Sequence, residues 1–233
     1  MAQNTTHVEA EVQKALSNSK YEGVHGSVQN NDVVVLNGSV DVFDLKEKID
    51  HKVHRIKGVK AVENDIPVAG TPVPDQELSS KLVKAIEYDR VGYGTTPFNA
   101  INVTVNDGVV TLGGHAYGPV DADSAAAVAA NTKGVKDVIN DIQVDPLSPM
   151  DDSIRIRTLR AIYSYPSLNK YAMDPGKTIR VSVQNGRVTL IGVVDSQADK
   201  DAAGIRANTV PGVFHVDDQL QVVNDQNENR ASR

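Results

Sequence analysis

The feature that most constrains this chain is an internal repeat with fixed spacing. Three strand-like runs close on glycine: Val33-Val34-Val35-Leu36-Asn37-Gly38, Val109-Val110-Thr111-Leu112-Gly113-Gly114 and Val188-Thr189-Leu190-Ile191-Gly192. Twenty residues beyond Gly38, Gly114 and Gly192 stand Gly-Val pairs opening at Gly58, Gly134 and Gly212. Ten residues beyond those, alternating runs end at Val68, Val144 and Val222. A chain that repeats two spacings three times builds three copies of one small unit rather than a single large core.

Periodicity orders the elements inside a unit. Apolar residues at helical spacing come first: Val8, Val12, Ala15 and Leu16, then Leu78, Leu82, Ala85 and Ile86, then Ile156, Leu159 and Ile162. A hairpin follows, with turns at Asn106-Asp107-Gly108 and Gln184-Asn185-Gly186, residues that accept the positive φ of a tight turn. The first unit has Asn30-Asn31-Asp32 there. A second helix carries Leu45, Ile49, Val53 and Ile56 on one face, and becomes the Ala-rich 124–131 run in the second unit. Gly58, Gly134 and Gly212 fall where a helix end takes a left-handed residue. A third strand completes the unit. The expected class is α+β: three tandem α-β-β-α-β modules, each with two helices on one face of a small three-stranded mixed sheet. Modules are expected at 1–70, 75–145 and 151–223, separated by the Pro-bearing segments 69–74 and 145–150, with a polar tail at 224–233.

Composition narrows the function. The 233 residues carry a net charge of -6 and only 4% aromatics, so the cores must be aliphatic and thin. Basic and acidic residues number 8 and 10 up to residue 72, 5 and 10 from there to 145, and 9 and 8 from there to 223. No segment has the strongly basic footprint of a nucleic-acid binder. The absence of cysteine removes disulfides, thiolate metal sites and thiol nucleophiles together. No apolar run reaches the roughly 18–20 residues that span a bilayer. The first residues, Met1 to Thr6, have neither the basic nor the apolar region of a signal peptide. This is consistent with a mature exported protein behind a starting Met, and with a cytoplasmic one.

The runs "DGVVTLGG" and "NGRVTLIG" and the downstream "KGVKAVENDIPV" and "KGVKDVINDIQV" resemble the BON domain over about residues 8–223. That resemblance implies a non-catalytic module of the bacterial envelope, linked to osmotic stress and to binding of phospholipid or protein partners. A related architecture that pairs BON with LysM implies potassium binding, but no LysM segment is visible here. The chain departs from a minimal BON unit between first helix and first strand. Unit one crosses briefly at 17–23, whereas units two and three insert residues 88–98 and 163–175. Six of the chain's 7 Tyr and 3 Phe lie in these inserts: Tyr88, Tyr93, Phe98, Tyr163, Tyr165 and Tyr171. They are the candidate partner or membrane contacts, because Tyr joins a large apolar ring to a polar tip. The competing reading folds the rings back over an aromatic-poor core.

Motifs for chemistry are weak. His51 and His54, with Glu47 and Asp50 nearby, have helical spacing for a shared metal face, but the other units have no counterpart. No G-x-S-x-G elbow and no phosphate-cradling loop occurs, and Gly92-Tyr93-Gly94 is a lone G-x-G. Asp121, Asp123, Asp151 and Asp152 read as acids opening helices. No catalytic residue, metal or cofactor is expected. The expected protein is a periplasmic or otherwise exported, non-enzymatic BON-repeat protein that binds envelope lipid or protein. Alternatives are a potassium-responsive ion binder and a structural protein that assembles into oligomers or fibres through free sheet edges.

Overall fold

The computed structural model describes residues 2–29, 32–146 and 148–223. The first module runs α1 (Ala2–Leu16), β1 (His25–Gln29), β2 (Val33–Asn37), α2 (Phe43–His54) and β3 (Ala61–Asn64). The second has α3 (Asp75–Asp89), β4 (Ala100–Asn106), β5 (Val109–Ala116), α4 (Pro119–Ala130), β6 (Asp137–Asn140) and β7 (Gln143–Val144). The third has α5 (Pro149–Tyr163), β8 (Arg180–Gln184), β9 (Arg187–Val194), α6 (Gln197–Asn208) and β10 (His215–Val222). The α-β-β-α-β order is therefore present three times. Two compact units form: Met1–Ser79 with Thr104–Thr111 and Ala127–Ile139, and Ser80–Val103 with Leu112–Ala126 and Asn140–Arg233.

Each sheet is mixed for one topological reason. A tight hairpin makes its two strands antiparallel, and the return through a helix makes the last strand parallel. In the first sheet β1 pairs β2 antiparallel, Ser27 opposite Val35, and β2 pairs β3 parallel, Val34 opposite Val62. In the third, β8 pairs β9 antiparallel, Ser182 opposite Thr189, and β10 pairs β9 parallel along eight residues from His215–Arg187 to Val222–Val194. The middle sheet runs β4-β5-β6, with β7 also on β5. Its last strand is split at Asp141-Ile142. The first module is likewise interrupted near Pro67, after which a single bridge pairs Val40 with Val68. All three last strands share an Asx contact, in which Asn64, Asn140 and Asp218 accept from the N–H two residues on.

The hairpin turns use the residues expected. Asp107 and Gly108 have φ of 50° and 77°, Asn185 and Gly186 of 51° and 74°, and Asp32 stands at 61°. Asn30 and Asn31 lie outside the described residues, as do Leu147 and the tail 224–233. Gly114 shows why the strand-closing position is glycine: its φ is 86°, and a Cβ there would overlap the carbonyl oxygen of Ala100.

Four readings need correction. Gly58 and Gly212 are left-handed but do not end the helices directly: Arg55 and Thr209 cap α2 and α6 in right-handed geometry. One further turn intervenes, closed by Val59 N–H to Ile56 and Val213 N–H to Val210. Gly134 likewise follows α4 by several residues. Helix α4 begins at Pro119 rather than 124, since Pro suits the first helical turn. Ala85 is exposed. The buried face of α5 is Asp151, Ile154, Arg155, Thr158 and Ile162, whereas Ile156 is 44% exposed. Three of those five are polar; of the expected stripe, Ile162 is buried and Leu159 packs against the core, and only Ile156 faces out.

The cores are aliphatic. The first gathers Val8, Val12, Leu16, Val34, Leu36, Ile49 and Val53 from both helices and the sheet. The third gathers Ile154, Ile162, Val181, Val183, Leu190, Ala203 and Ala207, and adds Leu168 and Tyr171 from its insert.

Candidate functional site

Three sets of polar side chains stand out, and two of them are internal. The first holds the inserts. Asp121 and Asp199 lie in the first turns of α4 and α6, at equivalent repeat positions, and are 5% and 6% exposed. Asp121 Oδ1 accepts from Thr95 Oγ1 at 2.6 Å, Asn99 Nδ2 at 3.0 Å and Arg90 Nε at 3.0 Å, all from the second module's insert region. Asp199 Oδ2 accepts from Tyr171 Oη at 2.8 Å and pairs with Lys170 Nζ at 3.0 Å. Tyr171 Oη in turn accepts from Asp195 N–H at 2.7 Å. Burial alone would push the Asp199 carboxyl up; hydrogen bonds from Lys170, Tyr171 and Ser196 outweigh it and hold it below the usual carboxylate range. The ammonium of Lys170 is pushed up by Asp195 and Asp199. The first module has Leu45 at this position and no insert to hold.

The second set ties helices to hairpins and module to module. Asp151 accepts from Asn185 N–H at 3.0 Å and Gly186 N–H at 2.9 Å; Asp75 does the same for Asp107 and Gly108 at 2.8 and 3.0 Å. These turns have two outward N–H groups, and one carboxylate satisfies both. Asp145, at the end of the second module, has a fully buried side chain. It accepts from Ser182 Oγ at 2.8 Å and Gln184 Nε2 at 3.0 Å, and lies 3.4 Å from Arg155 Nη2 and 3.3 Å from His115 Nδ1. Arg155 is itself 0% exposed and donates to Val183 O at 2.7 Å and Asp152 Oδ1 at 2.6 Å. Thus all four buried aspartates among the described residues are consumed by loops, turns or an internal cation. A cavity of about 20 Å³ beside Thr96, Asn99 and Glu87 has room for one water, not a substrate.

The third set is exposed. Between α1 and α2 runs an open groove of about 640 Å³, lined by His7, Glu11, Lys14, Lys52, Arg55 and Lys57 over a floor of Ala15 and Ile56. Lys52 Nζ donates to Ala15 O at 2.7 Å and lies 5.0 Å from the Tyr21 ring. The third module repeats this arrangement: Arg206 Nε donates to Ala161 O at 3.2 Å and its guanidinium lies 5.4 Å from the Tyr165 ring.

The six candidate aromatics divide. Tyr171 is 1% exposed and belongs to the core, which removes it from any contact surface. Tyr163 is half-buried and donates to Ile179 O at 3.1 Å; burial pushes its hydroxyl up to about 12. Phe98 is half-buried against Tyr117, ring centroids 5.4 Å apart. Tyr88, Tyr93 and Tyr165 are exposed at 47%, 71% and 39%. Tyr88 donates to Asp174 Oδ1 at 3.1 Å, and the Arg90 guanidinium lies 4.0 Å from the Tyr93 ring. His51 and His54 are both exposed on α2, and no group of three or more His, Asp or Glu among the described residues is placed to hold a metal. No described helix is long and apolar enough to cross a membrane.

These features define a class: tandem α+β modules whose buried charges serve their own architecture and whose exposed loops and grooves are surfaces. A family model described as "BON domain" matches residues 4–70, 74–146 and 167–224, and the chain belongs to that family. It is similar to the osmotically-inducible protein Y of Escherichia coli K12, 28% identical over 163 residues that cover 69% of this chain and 78% of the relative. Among solved structures it aligns with the C-terminal domain of CdsD, a structural protein of the type III secretion system of Chlamydia trachomatis, over 92% of this chain and 96% of that one. The identity is 14% and the TM-score 0.26.

Proposed function

We propose that this protein is a non-enzymatic, exported BON-repeat protein of the bacterial envelope that binds phospholipid surfaces and serves in osmotic or envelope stress. The observation that carries the reading is the pair of anchored inserts. Each presents an exposed tyrosine against an arginine: Tyr93 on Arg90, whose charge Asp121 already pairs, and Tyr165 on Arg206 of α6. A tyrosine with one apolar face and a wet tip, next to a cation, suits the headgroup layer of a membrane. Similarity to an osmotically inducible relative supports the stress context. The buried acids favour no reaction, because each already accepts hydrogen bonds from its own chain.

Flotation with vesicles of phosphatidylglycerol and phosphatidylethanolamine tests this. The reading expects co-flotation at low salt that weakens toward physiological salt, and a loss on Tyr93→Ala/Tyr165→Ala. No co-flotation at either salt would sink it. An envelope protein as partner is favoured by a separate observation, the α1–α2 groove, taken up next.

A further inference from the structure

The α1–α2 groove of the first module differs in kind from the aromatic inserts. Four of the 8 basic residues before position 73 line it: Lys14, Lys52, Arg55 and Lys57, against the single acid Glu11. The chain as a whole is at -6, so this is a local reversal of sign. Lys52 is already used to hold α1 against α2 through Ala15 O. Among the described residues the Lys14 ammonium pairs with Glu11 at 3.6 Å, an exposed contact of the kind worth little in water. Arg55 and Lys57 are exposed at the groove's end, just beyond α2. The repeat keeps a cation at the Lys14 position in every module, Lys84 and Arg160 being its counterparts, each followed by Ala. In those two modules the residue one turn earlier is also basic, Lys81 and Arg157, a like-charged spacing that costs a helix stability.

The shape decides between two anionic partners. A bilayer is flat, and a cationic face holds it more strongly when apolar side chains project past the cations into it. The described part of the first module exposes no large apolar side chain; among the described residues those exposed begin at Val83. The apolar atoms of the groove are its half-buried floor, Ala15 and Ile56, reachable by a chain laid between the helices but not by a plane. From these observations we infer that the α1–α2 groove binds an acidic peptide segment of a partner protein, its carboxylates toward Lys14, Arg55 and Lys57 and its apolar residues on Ala15 and Ile56. This stands apart from the phospholipid reading and uses different residues.

Fluorescence anisotropy of the full chain with a labelled 12-residue peptide alternating Glu and Leu tests it, with a Lys-Leu peptide as the charge control. The Glu-Leu peptide binds, more weakly as salt rises, and the Lys-Leu peptide does not. Arg55→Glu/Lys57→Glu weakens binding about tenfold or more, while Lys177→Glu on the third module leaves it unchanged. Because acids beyond a helix C-terminus themselves cost stability, Arg55→Gln/Lys57→Gln is measured alongside and weakens binding about threefold or more. No binding of the Glu-Leu peptide, or equal affinity in the Gln variant, overturns the proposal. So does a groove variant that loses phosphatidylglycerol vesicles but keeps the peptide. Flotation lost only in the tyrosine variant, with peptide binding intact, separates this site from the membrane reading.

Discussion

The first and third modules share an order of elements but solve the joint between first helix and first strand differently. In the first, a short connection crosses from α1 to β1 with Leu45 at the start of the second helix, and the core stays aliphatic. In the third, an insert is folded inward: Leu168 and Tyr171 join the core, and Asp199, in the place of Leu45, receives Tyr171 and Lys170. The second module follows the third, with Asp121 collecting Arg90, Thr95 and Asn99. The difference teaches that the residue at one position goes with the kind of module built. An apolar residue there closes a lean module, and a carboxylate there ties down a loop. The lean module shows a cationic groove, and the loop-bearing ones show tyrosines.

Substitutions can break this comparison, beginning with the largest effect. Arg155→Ala removes the cation beside a fully buried Asp145; breaking such a buried pair costs about 3–5 kcal/mol, read as a lower urea midpoint. The first-module counterpart of Arg155 is the exposed Glu9, where Glu9→Ala changes stability by less than about 0.5 kcal/mol. Tyr171→Phe withdraws the hydroxyl shared by Asp199 and the Asp195 N–H, at a cost of about 1–3 kcal/mol in the same assay. Asp75→Ala frees two turn N–H groups, that of the exposed Asp107 and that of the buried Gly108, and costs about 1–2 kcal/mol. Glu11→Gln, at an exposed pair, costs a few tenths of a kcal/mol or nothing.

A pH titration sharpens the same contrast. The Asp199 carboxyl is held below its ordinary range in the folded chain, so the folded state binds its proton less readily than the unfolded chain does. Its contribution is therefore present above the ordinary carboxylate pKa of about 3.9 and is lost as pH falls through the lower folded value. Asp199→Leu flattens that acid limb. Tyr163, pushed up to about 12, works the other way: its contribution is full below about 10 and is lost as pH rises toward 12. Tyr163→Phe removes that alkaline limb from the melting curve.

Much of the fold was legible in sequence because its signals are local. Asp107-Gly108 and Asn185-Gly186 specify their turns, strand alternation specifies faces, and the glycine spacing carries the repeat. What escaped is polar and long-range. Asp151 reads as a residue opening a helix, which it is, yet its carboxylate reaches 34 residues along the chain to a hairpin turn. Arg155 reads as part of a wet face, since nothing in α5 alone reveals that Asp145 and Val183 O await it. In the third insert Tyr165 is exposed and Tyr171 buried, and no period distinguishes them, because an irregular loop has none. One signal was available: Asp121 and Asp199 occur in the two modules with inserts, and Leu45 in the one without. The groove was legible only as scattered Lys and Arg until α1 and α2 were placed side by side.

The central claim is that the buried acids hold the inserts in place. Amide hydrogen exchange across 164–178, compared between the parent chain and Asp199→Leu, tests it most directly. The account predicts that this insert exchanges far faster in the variant while β8–β10 keep their protection. Equal protection of the insert in both proteins would contradict it.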